Sequence, residues 1–290
     1  MKKFTYHEPR SIQEACRLLY KYAGRSSLLA GGTDLIVKMK KGALAPRHVI
    51  NLKTIPGLNG IRKEVGGYGL GALATLADIA QNAGLKNIFP LLNASAQAIG
   101  SSQVRNIATL GGNICNAAPS ADMAPALLCL DARVKIAGPE TSHSMPLKEF
   151  FMGPGMVDLK PGEILAEIYV PFPCSGTKGI FVKHSPRRKM DIAVTSVAVL
   201  LAFDEKGFCK KVRIALGSVA PTPIRAEESE ALIKGKKAED VPFHQITEIL
   251  RQEVNPISDV RASAEYREEM VSVLTVHAIK DLLLQWGVRP

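Results

Sequence analysis

The stretch Ser27-Leu28-Leu29-Ala30-Gly31-Gly32-Thr33-Asp34-Leu35-Ile36-Val37-Lys38-Met39 sets a glycine pair between a short apolar strand and the start of a helix. Backbone amides are free at such a junction, and without a Cβ a ligand can approach the chain closely. The pattern recurs in Arg105-Asn106-Ile107-Ala108-Thr109-Leu110-Gly111-Gly112-Asn113-Ile114, where the second pair reads as part of a polar loop. A diphosphate needs several inward-pointing amides at close range, which both segments offer. Thr33 and Thr109 add hydroxyl donors, and Asp34 and Asn113 are placed to order the loops through nearby amides. Taken singly, each pair also reads as an ordinary turn.

A third cluster, Gly67-Tyr68-Gly69-Leu70-Gly71, does not read as a Rossmann fingerprint. Its spacing is GxGxG, Arg62-Lys63-Glu64-Val65 is no buried strand, and the residues after Gly71 read as strand before helix. Gly-rich turns in a β region are the plainer reading.

Outward from these segments, Ser11-Ile12-Gln13-Glu14 and Thr75-Leu76-Ala77-Asp78 are capping boxes. Phe89-Pro90 opens a helix that Gly100 closes, and Ser120 to Leu130 reads as another. Glu163 to Val170 is a strand, and the Pro- and Gly-rich stretch from Pro171 to Gly179 has linker character. It divides the chain into residues 1–175 and 176–290. Two β runs follow, Ile192 to Phe203 and Lys211 to Gly217, and then helices. In the last helix Tyr266, Met270, Val273, Leu274 and Ala278 form a stripe assigned to core packing.

Composition excludes several classes. The 290 residues suit one large domain or two ordinary ones, and 46% hydrophobic with 22% charged residues is a globular balance. The longest apolar runs fall short of the ~20 residues of a membrane span. The N-terminus leads from Lys2-Lys3 into polar sequence without a signal-peptide core. The 5 Cys stand apart with no CxxC, which fits a reducing cytoplasm and argues against an iron–sulfur cluster or other metal site within the chain. No HExxH, P-loop or GxSxG motif occurs. The net charge of +10 could serve nucleic acid or an acidic partner, but 1 Trp, 6 Tyr and 9 Phe give few rings for stacking bases.

Leu28-Leu29-Ala30-Gly31-Gly32-Thr33-Asp34 and Thr109-Leu110-Gly111-Gly112-Asn113-Ile114-Cys115-Asn116 resemble the two FAD-diphosphate loops of the flavin subunits of molybdenum hydroxylases, the xanthine dehydrogenase and carbon monoxide dehydrogenase family. The resemblance runs from Phe4-x-Tyr6-x-x-Pro9 through Gly217-Ser218-Val219-Ala220-Pro221-Thr222-Pro223-Ile224-Arg225 to Arg261-Ala262-Ser263-Ala264-Glu265-Tyr266-Arg267. It implies an α+β fold: a two-subdomain FAD-binding module (PCMH/vanillyl-alcohol-oxidase-like), then a smaller C-terminal α+β domain with an antiparallel sheet. It also implies a role in a cytoplasmic heterotrimer that can dimerise. FAD would take electrons from 2Fe–2S clusters on a small subunit, fed by a molybdopterin large subunit, and deliver them to NAD or another acceptor.

The same resemblance implies site residues. Leu28 to Asp34 and Thr109 to Asn113 would hold the diphosphate. Asp122 would contact ribityl or ribose hydroxyls, Leu165 would lie against the flavin or adenine, and Lys183 would sit near the flavin ring, where a cation stabilises a reduced, anionic flavin. The plainer readings are a helix N-terminal acid for Asp122, a strand core residue for Leu165 and a solvated lysine for Lys183. Ser185-Pro186-Arg187-Arg188-Lys189-Met190-Asp191 resembles the loop near the flavin in NAD-linked members, though Pro186 and Lys189-Met190 depart from its acidic form. No catalytic acid–base side chain and no metal ligand is expected. Two other readings stand beside this one: a self-contained FAD-dependent oxidase or reductase on the same module, and, from charge alone, a nucleic-acid-binding module.

Overall fold

The computed structural model describes residues 1–187 and 190–288, which form two units. One comprises residues 1–79, 101–117 and 132–171, the other 80–100, 118–131 and 172–290. Arg188 and Lys189 of the basic loop lie outside the described residues.

The first unit opens with three short strands, β1 (Thr5–His7), β2 (Ser26–Leu29) and β3 (His48–Asn51), paired in parallel with β3 in the centre. Parallel strands need crossovers, and helices Ile12–Lys21 and Leu35–Lys40 supply them. Ser11 caps the first by accepting the Glu14 N–H at 3.2 Å, while the Glu14 carboxylate reaches past it to the Arg10 N–H at 2.8 Å. Ala15 and Cys16 of that helix are buried against Ile50 and Leu52.

An antiparallel sheet completes this unit. Its strands are β4 (Ile61–Glu64), β5 (Gly67–Gly71), β6 (Arg133–Ala137) and β7 (Ser142–Pro146), then β10 (Ile164–Pro171) after the hairpin β8 (Phe151–Gly153) and β9 (Met156–Val157). The order is β4-β5-β10-β6-β7. The glycine-rich cluster is therefore a buried strand and not a run of turns. Steric demand explains its composition: a Cβ on Gly67 would overlap the Val170 carbonyl, and one on Gly71 would lie 2.6 Å from the Leu58 carbonyl carbon. Over Gly69 sit Glu64 and the buried Glu167, which Arg62 and Lys135 neutralise.

The second unit is built on one antiparallel sheet, β11 (Lys178–His184), β12 (Thr195–Phe203), β13 (Cys209–Gly217) and β14 (Ile224–Arg225), in chain order. Val197, Val199 and Leu201 point to one side and join a core with helices Glu227–Ile233, Phe243–Glu253 and Ala264–Leu284. Helices Pro90–Gln97 and Met123–Cys129 lie against the same sheet: a Cβ on Gly179 would sit 3.0 Å from Leu91 Cδ2, and Cys129 Sγ donates to the Ala198 carbonyl at 3.1 Å. Segments that precede residue 175 thus share a unit with the sheet that follows it.

The last helix corrects one expectation. Its buried stripe runs through Arg267, Val271, Thr275, Ala278 and Leu282, whereas Tyr266 is 45% exposed and Met270 half-buried. Arg267 can be buried because its guanidinium donates to the Val194 and Ser218 carbonyls and to Asp259. Tyr266 turns outward to hydrogen-bond His184 at 3.0 Å.

Because backbone surrounds the missing side chain at Gly71, Gly71→Ala should lower the unfolding free energy by about 1–3 kcal/mol in urea titrations. Gly153→Ala, whose Cβ meets nothing nearer than 3.8 Å, should be close to neutral. Equal stabilities for the two variants would contradict the packing account of β5.

Candidate functional site

The first glycine segment leaves β2 at Leu29 and enters helix Leu35–Lys40. Gly32 adopts a φ of +80°, a region that L side chains avoid. Its carbonyl accepts the Ile36 N–H at 3.0 Å, so the helix is anchored on the turn. The Gly32, Thr33 and Asp34 N–H groups make no hydrogen bond among the described residues. Three successive free donors in a turn are suited to an anion.

The second segment differs from the expected loop. Leu110–Cys115 is a helix with Thr109 as its cap, and the glycine pair occupies its first turn. Thr109 Oγ1 accepts the Gly112 N–H at 3.1 Å, and the Thr109 carbonyl accepts that of Asn113 at 3.0 Å. The Leu110 and Gly111 N–H groups go to the Ala74 and Ala72 carbonyls. All four amides are therefore committed, because the threonine cap and residues 72–74 compete for them. Gly111 serves close packing, since its Cβ would lie 2.7 Å from the Ala72 oxygen. What this segment offers is Asn113, whose Oδ1 is buried without a hydrogen-bond partner.

The fold brings the two segments together. A Cβ on Gly31 would overlap the Ile107 carbonyl oxygen and lie 3.0 Å from Ala108 Cα. Asn116 Nδ2 donates to Asp34 Oδ1 at 3.3 Å, and Lys38 Nζ donates to Asn116 Oδ1 at 2.7 Å. Asp34 thus orders its turn through a side chain of the other segment, not through nearby amides, and Asn113 makes no amide bond either. Lys38 and Asn116 were not picked out by sequence, although each sits one helical turn from a residue that was, Asp34 and Gly112. Leu165 is 3% exposed in β10, opposite Ile136. Its neighbour Ala166 accepts the Ala72 N–H at 2.9 Å, and Ala72 in turn accepts that of Gly111, so β10 braces the second segment.

Asp122 and Lys183 meet in the second unit. Asp122 stands at the start of helix Met123–Cys129 but caps nothing with its side chain. Its Oδ2 accepts from Lys183 Nζ at 2.7 Å, and that ammonium also donates to the Ala98 carbonyl at 3.3 Å. The lysine side chain is 10% exposed and the aspartate side chain 8%, so Lys183 is not a solvated lysine, while Asp122 keeps the helix-start position of its plainer reading and adds a buried ion pair. Asp122 Oδ1 is buried and unpartnered. Burial pushes the Asp122 carboxyl up to about 6, with Lys183 opposing the rise.

The described part of the basic loop is ordered locally: Asp191 accepts the Arg187 and Ile192 N–H groups, which hold its carboxyl below the ordinary range against desolvation. Burial raises the Cys16 and Cys209 thiols to about 11, which keeps them unreactive. Among the described residues no group of three or more His, Cys, Asp or Glu side chains is placed to hold a metal ion, and no helix is long and apolar enough to cross a membrane.

A free-amide turn held against a second glycine segment, with an enclosed acceptor at Asn113, fits an anionic cofactor that carries hydroxyl donors. This fold, mixed α and β with an antiparallel sheet in its C-terminal part, is that of a FAD-binding flavoprotein. The family described as FAD binding domain in molybdopterin dehydrogenase matches residues 2–173, and CO dehydrogenase flavoprotein C-terminal domain matches residues 180–282. Glyceraldehyde dehydrogenase medium chain of Sulfolobus acidocaldarius is 36% identical over 97% of this chain and 98% of its own. Xanthine dehydrogenase FAD-binding subunit of Escherichia coli O157:H7 is 32% identical over 98% and 97%. A carbon monoxide dehydrogenase structure from Hydrogenophaga pseudoflava superimposes with a TM-score of 0.92 at 32% identity, covering 96% of both chains. The chain belongs to the FAD-binding subunits of the molybdopterin dehydrogenases, the xanthine and carbon monoxide dehydrogenase family, and is an oxidoreductase flavoprotein.

The Asp122 carboxyl predicts a pH dependence. With its pKa raised from 3.8 to about 6, the folded state binds the proton more tightly than the unfolded chain does. The stabilisation is full below about pH 4 and is lost as pH rises through about 6. Melting curves of the full chain should show this decline, and Asp122→Asn should flatten it. An unchanged slope in the variant would contradict the assignment.

Proposed function

We propose that this chain is the electron-transfer flavoprotein subunit of a cytoplasmic molybdenum hydroxylase complex. It takes electrons from 2Fe–2S clusters of a small partner subunit, fed by a molybdopterin large subunit, and passes them to NAD or another acceptor. When bound, FAD supplies the chemistry: it accepts single electrons and can pass on a hydride. The residues of the chain bind, orient and tune it. The amides of Gly32, Thr33 and Asp34 hold the diphosphate within the segment Leu28-Leu29-Ala30-Gly31-Gly32-Thr33-Asp34. Thr109, Leu110, Gly111, Gly112 and Asn113 back it, with Asn113 Oδ1 free to accept a hydroxyl donor. Asp122 would contact ribityl or ribose hydroxyls, Leu165 would lie against the flavin or adenine, and Lys183 would stand near the flavin ring. The division at residue 175 marks where the FAD module ends and the C-terminal domain begins.

The observation that carries this reading is the contact of Gly31 with Ile107, which joins both glycine segments while three amides stay unused. Relatives named as medium chains and FAD-binding subunits support assembly with companion chains. The formal charge of +10 suits FAD phosphates and acidic faces of electron-transfer partners.

The full chain should take up FAD in fluorescence-quenching titrations. Gly31→Ala, forced away from Ile107, should bind it at least about tenfold more weakly, a loss of about 1.4 kcal/mol. Gly153→Ala should bind like the parent. Undiminished binding by Gly31→Ala would overturn the assigned cradle. Co-expressed with cysteine-rich and molybdopterin-bearing companions, the chain should co-purify with both. Substrate turnover by the isolated flavoprotein would instead show a self-contained oxidase or reductase.

A further inference from the structure

Among the described residues, five buried side-chain atoms without hydrogen-bond partners gather in the second unit: Asp122 Oδ1, Thr195 Oγ1, Ser196 Oγ, Ser218 Oγ and Arg267 Nε. Strand register sorts them by side. Lys183 pairs with Ser196 and Ser196 with Gly217, so these three share one side of the sheet. A Cβ on Gly217 would overlap Ser196 Oγ and lie 3.1 Å from Pro125 Cγ, which marks that side as the one facing helix Met123–Cys129. Thr195, one residue earlier, turns the other way.

Asp122 therefore meets Lys183 on the side of the sheet that the Ser196 hydroxyl also faces, and both charged side chains are nearly fully buried there. One carboxylate oxygen is committed to Lys183 and the other has no donor. Among the described residues, Lys183 is the only charged side chain shown against it. The end of helix Pro90–Gln97 contributes the Ala98 carbonyl, β12 the Ser196 hydroxyl, β13 Gly217, and the helix that Asp122 opens carries no charged residue. An enclosed carboxylate oxygen lacking a donor is a place for a proton, because neutralisation removes the penalty of burying the charge.

Resting on the reading that Lys183 stands beside the flavin ring, we propose that Asp122 takes up a proton from solvent when the bound FAD is reduced, and so frees the Lys183 ammonium to meet the charge that arrives. The balance closes. Two electrons, from the iron–sulfur partner or a chemical reductant, enter the cofactor with one proton and leave it one negative charge richer. A second proton binds Asp122 Oδ1 and converts carboxylate to carboxylic acid. No bond breaks, and the summed charge of cofactor, Asp122 and Lys183 is unchanged. Below about pH 6 the carboxyl already holds its proton in the oxidised state, so the second uptake belongs to higher pH.

The test counts protons taken up per two electrons during anaerobic reduction of the FAD-loaded full chain, in weak buffer with a pH indicator, from about pH 5 to about pH 8. The count for the unmodified chain should rise by up to one through pH 6, and that of Asp122→Asn should not. Above pH 6 the flavin potential should fall by up to about 30 mV per pH unit more steeply in the unmodified chain than in the variant. Equal counts and slopes overturn the proposal. Should Asp122→Asn fail to load FAD, the unmodified chain decides: a count that stays level or falls through pH 6 also overturns it. A flavin-loaded chain with a level count removes the proton assignment alone, whereas a chain that takes up no FAD removes the cofactor reading and this proposal with it.

Discussion

The contact between Gly31 and the Ile107 carbonyl constrains the first unit more than any other feature of its two glycine-pair segments. Only a residue without a Cβ can sit there, and the segment after β2 is thereby held against the approach to helix Leu110–Cys115. The left-handed Gly32 then turns the chain so that its carbonyl starts the next helix while the following N–H groups stay unused. Asn116 locks the arrangement by bonding Asp34 on one side and Lys38 on the other. The two glycine pairs do unlike work: the first exposes donors, and the second removes bulk so that residues 72–74 can pair with a helix start.

In the second unit a buried charge pair plays the comparable part. An aspartate and a lysine enclosed at 2.7 Å give up much hydration, which their attraction offsets only in part. Such a pair adds little to stability. Helices Pro90–Gln97 and Met123–Cys129 make that burial possible, because they bring Ala98 and Asp122 to β11.

Most elements were legible because local rules and tertiary structure agree. The caps at Ser11 and Thr75, the strands around 48–51 and 164–171, and the helix opened by Pro90 all follow from short-range chemistry. Where the reading failed, a distant partner decided. Gly67–Gly71 looks like turns until Val170 and Leu58 are seen to leave no room for side chains. Gly111-Gly112 looks like a loop until the Ala72 and Ala74 carbonyls, more than 35 residues away, join the Thr109 cap in taking up the amides of its first turn. Arg267 displaces Tyr266 from the core only because carbonyls 73 and 49 residues away accept its protons. Within the site, the glycine segments were readable as motifs, yet the contacts of Asn116 with Asp34 and Lys38 span 82 and 78 residues and have no local signal.

The central claim is that the Gly32, Thr33 and Asp34 amides, and not those of residues 110–113, receive the FAD diphosphate. Amide-resolved NMR of the full chain, with exchange rates taken before and after FAD is added, addresses it directly. The three amides should shift and become protected from exchange on binding, while those of residues 110–113, already bonded, should be protected throughout. FAD bound with residues 32–34 still exchanging freely would contradict it.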